Sequence, residues 1–236
     1  MGYGEDLAGL VAAAAPPDLR DGDVLVIAHK VVSKAEGRTR ILAHIDPGRE
    51  ARELAAEQGK DPRLVQAVLD ESSELLRARN GVLIAVTRHG LVCANAGIDQ
   101  SNASAEGELV LLPEDPDASA RRLRDGIGRA RGVRPAVVVA DSFGRAWRMG
   151  QTDVAIGLAG LVAIEEWRGR RDAFGRELRV TSIAVADAAA GAADLARAKD
   201  SRQPAVLVRG LERYVSAEDG PGAAALRRPA ERDLFR

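Results

Sequence analysis

The stretch VVVADSFGRAWRMG, residues 137–150, gathers residue types that suit phosphate or metal chemistry. Its valines and alanine predict a buried strand that stops at Asp141 and Ser142, with Gly144 allowing a tight turn. In open α/β sheets, ligands sit beyond the carboxyl ends of strands. A carboxylate and a hydroxyl there suit a hard cation such as Mg²⁺ or Mn²⁺. Arg145 and Arg148 could meet a metal-bound phosphate or form a structural ion pair, and Trp147 reads as packing. The same residues also suit a capped turn at a sheet edge.

Two further stretches could complete such a site. In CANAGIDQSNASAEGELVLLP, residues 93–113, Asp99 and Asn102 place an acid and an amide three residues apart, a spacing that can serve a metal and a nucleotide together. A plain loop has this composition too. In HKVVSKAEGR, residues 29–38, two lysines four apart flank an apolar pair. That reads either as a solvated loop or as an amine set at a strand end to meet phosphate. Bringing Asp99 and Asp141 together is unfavourable unless a cation neutralises them or one takes a proton. Two divalent ions clamping a polyphosphate would be one solution. Ser142 would then serve the second ion, and Lys34 a phosphate oxygen. Neither common glycine-rich nucleotide loop occurs, nor does a G-x-S-x-G elbow. His29, His44 and His89 are not spaced as a metal cluster. The residues alone point to metal-dependent phosphate chemistry.

The elements that must position these groups follow from periodicity. Residues 6–15 predict a short helix and residues 24–28 a buried strand. Residues 49–59 and 61–79 predict helices, the second opened by Asp61-Pro62 and stopped at Gly81. Strands follow at 82–86 and, after an Arg88-His89-Gly90 turn, at 91–93. Residues 109–112 form another strand. Asp115-Pro116 opens a helix to about Arg131, with Ala120, Leu123, Ile127 and Ala130 inward. Residues 165–179 read as a charged loop, 181–199 as an alanine-rich helix, and 205–208 as a last strand. After about Ser216 periodicity fades, which predicts a mobile tail or an arm on a neighbouring subunit.

Composition sets the frame. The chain has 236 residues, enough for one large domain or two small ones sharing a core. Hydrophobic residues make up 46% and charged residues 29%, so it folds. A net charge of −1 gives no basic excess for a nucleic-acid partner. Cys93 is the single cysteine, which excludes an internal disulfide and a cysteine-based zinc site and fits a cytoplasmic location. It reads as a small core residue. No run is long and apolar enough to cross a membrane.

With these residues in hand, the chain resembles the coenzyme F420:L-glutamate ligase (CofE-like) family. The matching segments are KVVSKAEGR (30–38), DPRLVQAVLDES (61–72), TRHGLVCANAGIDQSNA (87–103), LLPEDPDASARRLR (111–124), ADSFGRAWRMGQTDVAIGLAGL (140–161), RGRRDAFGRELRVTSIAVAD (168–187) and PAVLVRG (204–210). The resemblance implies an α+β fold of two intertwined α/β subdomains with mixed sheets, forming a homodimer. Residues 1–215 would be the ligase domain and 216–236 the tail or dimer arm. It implies a GTP-dependent ligase that joins L-glutamate to a deazaflavin precursor through an acyl phosphate, with γ-linked extension as a further step. Two Mg²⁺ or Mn²⁺ ions and a monovalent K⁺ would assist. A non-catalytic deazaflavin- or nucleotide-binding paralogue and a metal-dependent phosphohydrolase are the alternatives. By this resemblance Asp99 and Asp141 are catalytic metal ligands, Ser142 serves a second metal, and Lys34, Asn102 and His29 contact the nucleotide. The chain departs from the family pattern in three places. His29 stands where relatives carry Ser or Thr, and Ala198-Lys199 where many have Gly followed by Lys or Gln. An N-terminal strand and Leu-Pro turn of the family have no counterpart before residue 5.

Overall fold

A computed structural model describes residues 1–101, 106–198 and 200–234. In chain order the elements are α1 (Leu7–Ala14), β1 (Val24–Ala28), α2 (His29–Ala35), β2 (Thr39–Ile41), α3 (Arg49–Gln58), α4 (Pro62–Asp70) and β3 (Ser72–Arg79). Then come β4 (Val82–Thr87), β5 (Val92–Ala94), β6 (Glu108–Val110), α5 (Pro116–Arg131), β7 (Ala136–Arg145) and β8 (Arg148–Ala159). The chain continues through β9 (Ile164–Glu166), β10 (Ser182–Ala184), α6 (Val185–Ala196) and β11 (Ala205–Val208). The fold is mixed α and β, as an α+β class requires.

The central sheet has the order β11-β1-β7-β8. Strands β1 and β7 run parallel, while β11 and β8 pair antiparallel on the two sides. Strands β1 and β7 read as continuous apolar runs because both sheet faces are covered. Leu25, Ile27, Val137 and Val139 pack on one face against α1 and α5, through Leu7, Val11, Leu123 and Ile127. Val24, Val26, Val138 and Ala140 pack on the other against Ala186, Ala189, Ala190 and Ala193 of α6. Alanines let that helix approach closely, which makes good the shortage of large side chains. A separate apolar cluster joins α3 and α4 to the three-stranded sheet β3-β4-β5 and to β6, with Ala51, Val65, Val68, Leu83 and Leu109 at its centre.

Several expectations need correction. The segment 61–79 is not one helix: α4 ends at Asp70 and residues 72–79 form β3. Leu75 and Leu76 kept helical spacing with the residues before them, but Asn80 and Gly81 both adopt positive φ, at 52° and 74°. That pair is a hairpin turn, and it folds β3 onto β4. Strand β7 does not stop at Asp141. It runs on to Arg145, because β8 pairs with it residue by residue as far as Arg148, and the turn comes at Ala146-Trp147 rather than Gly144. Trp147 is 81% exposed, not buried in the core. Residues 29–35 are a helix with His29, Val32 and Ser33 buried, not a solvated loop. Ala130 is exposed, and the alanine-rich helix starts at Val185, after β10.

The segment from Ser216 to Arg227 contacts the body of the fold. Gly160 donates its amide to the Asp219 carbonyl at 3.0 Å, and Ala223 is buried against β8 and α6. Arg124, 1% exposed, gives Nη1 to Asp219 at 2.7 Å and Nε to the Pro135 carbonyl at 3.1 Å. A buried guanidinium needs such partners.

Candidate active site

The parallel register of β1 and β7 pairs Ala28 with Ala140. The next residue of each strand therefore lies at the same level, just past the last shared rung. On β1 it is His29, which leaves the sheet as the first residue of α2. On β7 it is Asp141. His29 is 1% exposed, and its Nε2 stands 3.2 Å from Asp141 Oδ1. The approach is off the hydrogen-bonding direction, so Nε2 is a buried nitrogen with no hydrogen-bond partner among the described residues. Its other nitrogen lies 3.4 Å from Ser33 Oγ, one turn along the helix. Buried polar atoms in native folds are normally satisfied, so the orphan marks a place where a ligand can supply the partner.

The residue after His29 turns to the other acid. Lys30 Nζ lies 2.5 Å from Asp99 Oδ2 and donates to Ser101 Oγ at 2.7 Å. The Ser101 amide donates to Asp99 Oδ1 at 2.6 Å. Burial pushes the Asp99 carboxyl upward, but Lys30 and the Ser101 bonds outweigh it and hold the group below the usual carboxylate range. The Asp99 backbone is anchored by a two-way bridge to Val110 at 3.0 and 2.8 Å, and β6 in turn pairs with β2. Asp99 and Asp141 are thus brought to consecutive residues at the head of α2.

Cys93 on β5 lies close enough to Asp141 to feel its charge. Burial first, and that charge second, push its thiol up to about 12. A thiol so raised is protonated at neutral pH and is no nucleophile.

Ser142 lies on the opposite face of β7 from Asp141, since successive strand residues alternate. Its hydroxyl donates to Asp153 Oδ1 at 2.6 Å, and Asp153 also binds Arg197 at the C-terminal end of α6. Asp141 and Ser142 therefore do not address one point. Lys34 lies in the last turn of α2, on the same helical face as Lys30. Asn102 and Lys199 lie outside the described residues. Arg145 and Arg148 oppose each other at the far end of the β7–β8 hairpin, where Arg145 Nη2 donates to the Met149 carbonyl at 3.1 Å.

Sequence reasoning noted Lys30 with Lys34 but gave a role to Lys34 alone, and it gave none to Asp153. Lys30 had a signal, since it directly follows His29 at the end of a strand. Asp153 had only its place at the head of the apolar run that follows it.

Among the described residues no three acids, histidines or cysteines come together as a preformed metal cage. The oxygen donors at the head of α2 are the carboxylates of Asp99 and Asp141. That set fits Mg²⁺, which is usually held by one or two carboxylates together with substrate phosphates rather than by an all-protein cage.

Comparison with known proteins agrees over the whole chain. Residues 1–210 match the family described as F420-0:Gamma-glutamyl ligase. The coenzyme F420:L-glutamate ligase of Methanothermobacter thermautotrophicus is 45% identical over 240 residues, covering 100% of this chain and 94% of its own length. That of Methanopyrus kandleri is 45% identical over 235 residues, covering 99% and 92%. That of Haloarcula marismortui is 43% identical over 240 residues, covering 99% and 90%. With identity of this extent and acids gathered at the head of α2, the chain belongs to the F420-0:gamma-glutamyl ligase family of enzymes.

Proposed function

We propose that this protein is a GTP- and divalent-metal-dependent coenzyme F420:L-glutamate ligase. What supports the reading most is that Asp141 and Asp99 contact His29 and Lys30, consecutive residues of α2, in a chain 45% identical to a ligase of that name. A carboxylate does not condense with an amine, because its oxygen is a poor leaving group. In the proposed reaction a carboxylate oxygen of the deazaflavin precursor attacks the γ-phosphorus of GTP, and GDP leaves. The amine of L-glutamate then attacks the acyl carbon, phosphate leaves, the amine gives up a proton, and an amide remains. γ-Linked extension would repeat the same two steps.

The chain's own residues supply position and charge. Asp99 and Asp141 would hold a first divalent ion and Ser142 a second. The ions would offset the repulsion between triphosphate and carboxylate. Lys30 and Lys34 share a helical face and would meet phosphate oxygens. His29 Nε2 would find its missing partner in the nucleotide, as would Asn102. K⁺ is a further cation of this reading.

The reading extends to a homodimer. Trp147 and Met149 are 81% and 96% exposed at the tip of the β7–β8 hairpin, and apolar residues so exposed are usual at protein contacts. A chain without disulfides fits a cytoplasmic site of action.

The test is an assay with GTP, Mn²⁺ or Mg²⁺, L-glutamate and the precursor. A mass gain of one glutamyl residue supports the ligase. Phosphate release without that gain makes the protein a phosphohydrolase, and binding without either makes it a non-catalytic holder. Asp141→Asn should abolish turnover in a folded protein; undiminished turnover would refute the metal role.

A further inference from the structure

His29 Nε2 and Asp141 Oδ1 come within 3.2 Å of each other and yet form no hydrogen bond. The backbone fixes both residues, each being the first past the last rung that β1 and β7 share. His29 is buried, so bulk water cannot supply the partner its nitrogen lacks. Two atoms placed this way suit a third that both can hold. An octahedral ion with ligands at about 2.1 Å keeps adjacent ones about 3.0 Å apart. The 3.2 Å between Nε2 and Oδ1 is close to that edge. The other ring nitrogen is placed for the same task. Nδ1 lies 3.4 Å from Ser33 Oγ, and Ser33 is itself buried on α2. With Nδ1 donating to that oxygen, Nε2 carries the lone pair that a cation needs. Histidines that ligate metals are commonly oriented by such a partner on the second nitrogen.

We propose that His29 ligates, through Nε2, the same divalent cation that Asp141 holds. This rests on the metal-dependent reading above and narrows it: the partner that Nε2 finds in the nucleotide is the cation the nucleotide carries. It also sets the choice of ion. Carboxylates, phosphates and water suit Mg²⁺, whereas one imidazole among oxygen ligands tilts the site toward later divalent ions such as Co²⁺.

The experiment uses the purified full-length protein carrying ¹⁵N in its three histidines alone. It is loaded with Mn²⁺, with and without a non-hydrolysable GTP analogue, and read by pulsed electron paramagnetic resonance. A coupling of the ion to histidine ¹⁵N is expected, lost in His29→Ser and kept in His44→Ser and His89→Ser. By titration, His29→Ser should weaken Co²⁺ by about 10- to 100-fold and Mg²⁺ by no more than a few-fold, since Ser offers the oxygen that Mg²⁺ accepts. Mn²⁺ that binds through Asp141, as its loss in Asp141→Asn shows, but carries no histidine coupling overturns the proposal while the metal reading stands. So does a His29→Ser protein that binds the GTP analogue more weakly with its preference between Co²⁺ and Mg²⁺ unmoved, which would place Nε2 on the nucleotide itself. Should His29→Ser fail to fold, a coupling kept in both His44→Ser and His89→Ser assigns it to His29, and one lost in either overturns the proposal. A wild-type protein that binds no Mn²⁺ under either condition sinks the metal reading as well, a result distinct from bound Mn²⁺ without the coupling.

Discussion

Lys30 Nζ sits 2.5 Å from Asp99 Oδ2, the carboxylate proposed to hold a divalent cation. An ammonium and a metal ion compete for the same lone pairs. Removing the ammonium should therefore help the ion while harming the nucleotide. Lys30→Met should tighten Mn²⁺ binding in the absence of nucleotide, by about fivefold if the pair is worth on the order of 1 kcal/mol. The same variant should raise the requirement for GTP. Mn²⁺ affinity that falls together with GTP affinity would show that Lys30 supports the cation instead of standing in for it.

Asp117 tests how firmly residues 216–227 are held. Its Oδ1 accepts from the Leu158 amide at 2.8 Å and from the Ala223 amide at 2.7 Å. One oxygen therefore joins the start of α5, strand β8 and the C-terminal segment. Asp117→Ala would leave two amides without that acceptor, each worth about 1–3 kcal/mol where burial keeps water out. Limited proteolysis should then cut after residue 216 several times faster, while Asp117→Asn keeps an acceptor and stays close to wild type. Equal cleavage of all three proteins would mean that Arg124 and Asp219 alone seat the segment.

What could be read from the sequence was whatever depends on near neighbours. Helix α5 begins and ends where Asp115-Pro116 and Gly132 place it, because caps act within a turn. Strands β1 and β11 were legible as short apolar runs between turns. What failed depended on distant partners. Strand β7 outlasts its apolar run only because β8 pairs with it through Asp141 and beyond. Leu75 and Leu76 kept the helical spacing of α4 by chance, and the Asn80-Gly81 hairpin signal was the stronger one. Asp99 and Asp141 were each readable as acids in polar turns. That they touch consecutive residues depends on the β1–β7 register and on a helix that begins at His29. Asp153 could not be found locally, since its partner Arg197 lies 44 residues on.

Gly157 tests the packing of α5 on the sheet. A Cβ built there would stand 2.2 Å from the Pro116 carbonyl oxygen and 2.4 Å from its carbon. Those are backbone atoms at the first residue of α5, so no side chain can swing aside. Gly157→Ala should destabilise the fold by about 1–3 kcal/mol through forced displacement, seen as a lower midpoint in urea. An unchanged midpoint would show that the helix start yields without cost. Gly191→Ala is the control, because its Cβ would meet Thr152 Oγ1 at 3.4 Å, an ordinary contact.

Asp187 carries the pH dependence. It stands in the first turn of α6, and its Oδ1 accepts from the Ala155 amide at 2.9 Å. Burial raises its pKa above the ordinary 3.8, and the Ala155 bond only partly opposes this. The folded protein thus holds this proton more tightly than the unfolded chain does. The resulting stabilisation is complete below 3.8 and is lost as pH rises through the folded pKa. Asn resembles the protonated acid and can still accept from Ala155. Asp187→Asn should therefore melt higher than wild type at pH 7, and the gap should close on acidification to about pH 3. The opposing force is the helix dipole, which favours a negative charge in a first turn by about 0.3–1 kcal/mol. A variant that melts lower at pH 7 would mean that the dipole prevails over burial at this position. Thermal melts of the two proteins across that pH range decide between them.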